Sequence, residues 1–165
     1  MERSLSQSIV VLTGGSGLVG SSIGTELASR GFMVHSIDLK PPKIQVSEIS
    51  YHRADITNRK EVELVINEIS KIGPIASFVH CAAIDPKVGK DTNSVQLFED
   101  STFDSISIEF DVSILGALIV IQSILKQNKW KGEARRSFVL LGSDLSVISP
   151  DQRVYKNREI GRAHV

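Results

Sequence analysis

The chain has 165 residues, 41% hydrophobic and 23% charged, which excludes wholesale disorder. Its 19 basic and 19 acidic side chains cancel, which argues against a general polyanion binder. A single cysteine excludes an internal disulfide framework and a cysteine-rich zinc site, and no metal site is expected.

Ile9 to Leu12 is a short β-branched run that predicts a buried strand. Thr13 to Gly20 is glycine-rich and breaks it. A helical pattern runs from Leu18 to Arg30, with Leu18, Ile23, Leu27 and Ala28 near one face and Gly31 as the C-cap. Phe32 to Leu39 predicts a second strand, ended by Pro41 and Pro42. His52 to Asp55 is a weak third strand. Asp55 or Thr57 can cap a helix from Lys60 to Ile72, where Val62, Val65, Ile66 and Ile69 recur at helical steps.

Gly73-Pro74 stops that helix, and Ile75 to Cys81 predicts the fourth strand. A polar loop spans Ile84 to Asp100. A long helix is expected from Thr102 to Lys126, then a basic connection from Trp130 to Arg136, then a fifth strand from Ser137 to Leu141. The longest apolar run, Ile114 to Ile121, is eight residues and too short to span a bilayer. Glu2 and Arg3 precede a polar stretch, not a secretory apolar core. The expected compartment is therefore the cytoplasm, with no membrane partner.

Alternating strands and helices predict an α/β fold: a doubly wound, Rossmann-like parallel sheet in the order 3-2-1-4-5. No apolar segment follows Leu141 to cover the fifth strand, so the chain reads as one domain over residues 1–165, incomplete at its C-terminus.

Thr13-Gly14-Gly15-Ser16-Gly17-Leu18-Val19-Gly20 lies between the first strand and the first helix. Gly14 allows a tight turn, Gly17 lets backbone approach a phosphate, and Gly20 lets the helix pack on the sheet. A pyrophosphate would rest on the unpaired N–H groups of the helix start. The absence of a Lys after the glycines excludes a nucleoside-triphosphate loop of the G-x-x-x-x-G-K type. Asp38 ends the second strand, where a carboxylate can accept from both ribose hydroxyls of NAD and would repel the extra phosphate of NADP. Lys40 and Lys43 weaken that preference. Asp55 either reaches an adenine amino group or caps a helix. His80 is either a core histidine or part of a site. Cys81 reads as a buried thiol rather than a nucleophile.

Together these segments resemble the short-chain dehydrogenase/reductase family. The glycine segment is similar to its T-G-x-x-G-x-x-G form, Asp38 to its NAD-selecting acid and Asp55 to its adenine-side Asp. His80-Cys81-Ala82-Ala83 stands where the family has Asn-Asn-Ala-Gly, and Ser113 where it has a helix Asn that supports a proton-relay water. Ser143 matches the catalytic Ser. The resemblance thus implies NAD as cofactor, with NADP disfavoured. It implies cofactor contacts from Thr13, Gly14, Ser16, Gly17, Leu18, Gly20, Asp38, Asp55, Ile56, Cys81, Ala82 and Ala83, and catalytic roles for Ser143 and Ser113.

The nearest likeness is to a bacterial subgroup that modifies surface-polysaccharide and flagellin sugars, through Ala83 to Lys87 and Ser143 to Tyr155. The family's Tyr-x-x-x-Lys pair is not present: Glu159 follows Tyr155 at the Lys position, and Tyr155 reads as a loop residue. The resemblance implies hydride transfer between the nicotinamide and a secondary alcohol or ketone, a sugar derivative among them. The truncated chain is expected to be inactive alone, and the full-length protein to be a homo-oligomer.

Two other readings stay open: an NAD-linked nucleotide-sugar epimerase or dehydratase, and a non-catalytic dinucleotide-binding module. Nucleic acid is not expected as a partner, since the cluster of Lys126, Lys129, Lys131, Arg135 and Arg136 suits a helix end. Ile160 to Val165 reads as the translation of a sequencing adapter, so His164 is assigned no chemistry.

Overall fold

β-Branched residues dominate the central strand. In β1 (Ile9–Thr13) every residue is buried, as expected for a strand covered on both faces. It is joined by β2 (Met33–Asp38), β3 (Ile49–Arg53), β4 (Ile75–His80) and β5 (Ser137–Leu140). All neighbours are parallel, in the order β3-β2-β1-β4-β5. This is the doubly wound order that the alternation of elements predicts. The computed structural model describes residues 8–84, 102–127 and 136–143. The loop beyond Ile84, most of the basic connection, Tyr155 and the tail lie outside them.

β1 divides the core by its period of two. Ile9 and Val11 join Ile37, Val62, Ile66, Ile69, Phe78, Val120 and Ile124 on one face. Val10 and Leu12 join Ala28, Val34 and Val79 on the other. β3 starts three residues before its expected position, because Ile49 pairs with Val34 and packs on this second cluster. Ser50, His52 and Arg53 hide that strand from a hydrophobicity reading.

Helix α1 (Leu18–Ser29) ends as Gly31 predicts. Gly31 takes φ of 84°, its N–H donates to the Ala28 carbonyl, and the Phe32 N–H donates to the Leu27 carbonyl. This is a Schellman end with Arg30 as the cap residue and Gly31 just beyond it. Of the expected face, Ile23, Leu27 and Ala28 pack on the second cluster and only Leu18 departs. Gly20, Gly24 and Ala28 are buried, while Leu18 is 88% exposed. Small residues let the helix lie close on the sheet: a Cβ on Gly24 would meet the Leu12 side chain at 3.1 Å.

Helix α2 (Arg59–Ile72) buries Val62, Ile66 and Ile69, as its spacing predicts. Its cap is Asn58, which accepts from the Lys60 N–H at 3.1 Å, and neither Asp55 nor Thr57. Glu61 completes the helix start, accepting from the Asp55 N–H at 2.8 Å and the Asn58 amide at 2.9 Å.

The long helix is three pieces: α3 (Phe103–Phe110), a π-turn (Asp111–Gly116) and α4 (Ala117–Lys126). α4 buries Ala117, Val120, Ser123 and Ile124. Lys126 pairs with Glu63 at 3.0 Å and Arg59 donates to Gln122 at 2.9 Å across the α2–α4 contact. Exposed pairs of this kind contribute roughly 0–1 kcal/mol, so apolar burial holds the helices together. Although its apolar run is short, Phe103–Lys126 is a continuous 24-residue helix, long and apolar enough by length and composition to cross a membrane, with 28% of its most apolar window buried. Phe138 packs edge-to-face on Phe78, while Val139 and Leu140 of β5 stay about half exposed.

Candidate functional site

The glycine turn sits on the carboxyl ends of three strands. The Gly14 N–H donates to the Ile37 carbonyl at 3.0 Å and the Cys81 N–H donates to the Thr13 carbonyl at 3.0 Å. Gly14 has φ of 71°, in the left-handed region. A Cβ there would lie 2.6 Å from the Ala82 nitrogen and 2.7 Å from the Cys81 carbonyl carbon. The turn therefore needs glycine both for its dihedral and for its contact with the end of β4. The Gly17 N–H donates to the Gly14 carbonyl at 3.1 Å and closes it.

Gly20 does something other than expected. A Cβ on it would collide with the Gly14 carbonyl, so it packs on the turn, and contact with the sheet falls to Gly24. Gly15 was not singled out by spacing, yet a Cβ on it would collide with Ser36 of β2. Gly17 caps α1 without any side-chain hydrogen bond, and no acidic residue stands in the first turn. The first-turn N–H groups therefore face the mouth of the turn without a built-in anion.

Asp38 is half-buried at the end of β2. Its Oδ2 accepts from the Ser16 N–H and its Oδ1 from the Lys40 N–H, both at 3.0 Å. The Ser16 hydroxyl donates to the Lys40 carbonyl at 2.6 Å. The carboxylate is thus fixed at the rim of the turn, with lone pairs left for further donors. Tyr51, which the sequence reading passed over, donates from its hydroxyl to the Asp38 carbonyl at 3.2 Å. Only the register β2–β3 brings it there. Beside Ser16 opens a cavity of about 960 Å³ lined by Leu18, Ser22, Lys43, Ile49 and Tyr51. It lies between α1 and the helix-free link from β2 to β3.

Asp55 accepts from the Thr57 N–H at 2.9 Å and the Thr57 hydroxyl at 2.7 Å, both on Oδ1. This is an Asx turn, not a helix cap. Ile56 is buried in the core, and a Cβ on Gly116 would touch it at 2.8 Å, so its side chain serves packing against the π-turn.

At the end of β4, Ala82 lies against Gly14, Ala83 is exposed, and burial pushes the half-buried Cys81 thiol up, away from thiolate chemistry. Thr13 is fully buried. Its hydroxyl faces His80 Nδ1 at 2.8 Å and is turned into the sheet rather than toward the cleft. Ser113 is exposed on the π-turn, and Ser143 is exposed just beyond β5. The Leu141 N–H donates to the His80 carbonyl at 3.1 Å, which registers the β5 end beside β4. Among the described residues, no three His, Cys, Asp or Glu side chains gather into a metal-sized cluster.

A glycine turn at the centre of a 3-2-1-4-5 parallel sheet, with an acid fixed at the end of β2, defines a dinucleotide-binding type of α/β domain. The short chain dehydrogenase family model matches residues 8–149, and the chain belongs to that family. Among solved structures it is similar to a short chain dehydrogenase from Leptospira borgpetersenii with bound NAD+, at 25% identity and TM-score 0.78 over 94% of this chain and 60% of that one. A short chain dehydrogenase family protein from Francisella tularensis gives 23% and 0.68 over 87% of this chain and 54% of that one. The aldohexose dehydrogenase of Thermoplasma acidophilum gives 22% and 0.63 over 73% and 44%. These last two share the fold. The chain spans about 60% of the length of the Leptospira protein. No curated protein matches it.

Proposed function

We propose that this chain holds NAD for an oxidoreductase of the short-chain dehydrogenase type, with a secondary alcohol or ketone as substrate. The observation that carries this is the Asp38 carboxylate, anchored by the Ser16 and Lys40 N–H groups at the rim of the glycine turn. The residues fit a dinucleotide: Gly14 admits no side chain, and the first turn of α1 offers N–H groups to a pyrophosphate. NAD, when bound, accepts or supplies the hydride.

On this reading the chain's own residues take the following roles. Asp38 accepts from the ribose hydroxyls and stands against a 2′-phosphate. Ser16, Gly17 and Leu18 border the pyrophosphate, and Gly20 keeps the turn close to the helix start. Asp55 offers an acceptor to the adenine side beyond β3. Ala82 and Ala83 leave room over the end of β4. Ser143 positions the substrate oxygen, and Ser113 serves the proton relay from the π-turn. A sugar derivative is the narrower substrate class, supported by the segments Ala83 to Lys87 and Ser143 to Tyr155. The 165 residues contain no Tyr-x-x-x-Lys pair, and none of them is assigned as the base that takes the hydroxyl proton.

The test is calorimetric titration of the chain with NAD and, separately, NADP. Saturable NAD binding that is lost in Gly14→Val and weakened in Asp38→Ala supports the proposal. A folded chain that binds neither cofactor, or binds both equally with and without Asp38, sinks it.

A further inference from the structure

We infer that Tyr51 is a positioning residue: its hydroxyl, carried on β3, fixes the peptide after Asp38 and so holds the Asp38 carboxylate in place at the rim of the glycine turn. This rests on the reading of Asp38 as the acid that meets the cofactor ribose.

The Asp38 carbonyl is the last oxygen of β2. Both its lone pairs are taken from the side of β3: the Ala54 N–H donates at 3.3 Å and the Tyr51 hydroxyl at 3.2 Å. Tyr51 lies opposite Ser36 in the strand register, so its side chain runs along β2 to an oxygen two residues further on. The next carbonyl, of Leu39, accepts from Arg53 Nε at 3.4 Å, and that of Lys40 accepts from the Ser16 hydroxyl at 2.6 Å. Three successive carbonyls are each held by a side chain from another part of the chain. A local turn would reach the Asp38 carbonyl with the N–H of residue 41 or 42. Both are prolines and have none, and no helix stands between β2 and β3.

The peptide between Asp38 and Leu39 sets the direction of the carboxylate. The Lys40 N–H closes an Asx turn on Asp38 Oδ1, and the Ser16 N–H takes Oδ2, both at 3.0 Å. Rotation of that peptide would carry the Lys40 N–H away from the carboxylate, and the Tyr51 hydroxyl opposes the rotation. Burial, and after it the negative charge of Asp38, raise the phenol's pKa above its usual value, while Arg53 acts the other way. The hydroxyl therefore keeps its proton and donates. The Tyr51 ring lines the cavity beside Ser16, so removing the hydroxyl alone leaves that wall in place.

The experiment uses the 165-residue chain, ¹⁵N-labelled, and its Tyr51→Phe variant. The variant should fold with its urea midpoint little changed. The Ser16 and Lys40 amide signals should move upfield as their bonds to the carboxylate lengthen. In calorimetric titrations NAD affinity should fall about 5-fold, the size of one hydrogen bond, and NADP affinity should stay within about 2-fold of the parent. The preference for NAD then narrows. In an Asp38→Ala chain, adding Tyr51→Phe should change neither affinity by more than about 2-fold, because the hydroxyl acts through the acid. A hydroxyl with only a structural role would weaken both cofactors alike, with or without Asp38.

Unmoved Ser16 and Lys40 amides overturn the inference, as does an equal loss of both cofactors or a loss that persists without Asp38. A Tyr51→Phe chain that does not fold also overturns it, since the hydroxyl would then hold the fold rather than the acid. If the parent chain binds no NAD, the proposed function fails, while the two amide signals still decide the role of Tyr51.

Discussion

The Ser16 N–H donates to Asp38 Oδ2 at 3.0 Å, across 22 residues of sequence, and joins the glycine turn to the end of β2. The same carboxylate receives the Lys40 N–H, and Lys40 in turn accepts the Ser16 hydroxyl. The acid therefore has two functions. It braces the turn, and it presents its remaining lone pairs outward.

Asp38→Asn keeps the size and one acceptor oxygen but removes the charge. NAD affinity should fall about 10-fold, the value of one hydrogen bond to a charged group, and NADP affinity should rise as the repulsion of its phosphate is removed. Parallel calorimetric titrations of both cofactors measure the ratio. An unchanged ratio would show that Asp38 only braces the turn.

Gly14→Val meets two obstacles: a left-handed φ and backbone atoms of Cys81 and Ala82 within 2.7 Å of its Cβ. Backbone is not able to step aside as a flexible side chain does. The variant should lose about 2–4 kcal/mol of stability in urea denaturation, together with cofactor binding.

Gly116→Ala places a methyl against Ile56, with Cγ1 and Cδ1 both at 2.8 Å. It should cost about 1–2 kcal/mol, because the π-turn or the Ile56 side chain must give way. Ile56→Ala alone should also destabilise. Combined, the two changes should be less harmful than their sum, and a double-mutant cycle by urea denaturation reads the coupling.

Acid should unfold the domain through its histidines. His35 Nδ1 lies 3.0 Å from His52 Nε2, with the rings stacked between β2 and β3. Burial, with the neighbouring His52, lowers the pKa of His35 from 6.5 to about 4, and burial lowers that of His52. The unfolded chain therefore takes up protons first. Stability is full above about pH 6.5, falls as pH drops toward 4, and levels once the folded ring also protonates. His35 contributes a loss of about 2–3 kcal/mol over that window. Urea midpoints from pH 8 to pH 4 follow it, and His35→Phe should flatten the curve.

Much of this was legible in the chain. β1 is β-branched and every residue is buried. Val62, Ile66 and Ile69 keep their helical spacing in the structure, and Gly31 ends α1 as its position predicts. Such features depend on periods of two and 3.6 and on local dihedrals, which neighbours in sequence express. The start of β3 was not legible, because Ile49 counts as strand only when Val34 lies beside it. The cap of α2 moved to Asn58 for a similar reason: Asp55 is committed to Thr57, and Glu61 turns back to the chain before the helix.

The sequence by itself determined the order of the elements, the parallel sheet, and the glycines and acid that mark a dinucleotide site. Each is a matter of residue type at a short spacing. Tertiary structure alone decided that Thr13 faces His80, that Gly20 packs on Gly14, that Tyr51 reaches the Asp38 backbone, and that the long helix loosens into a π-turn above Ile56. Those contacts join residues far apart in the chain. Their partners are set by strand register and close packing, which no local pattern encodes.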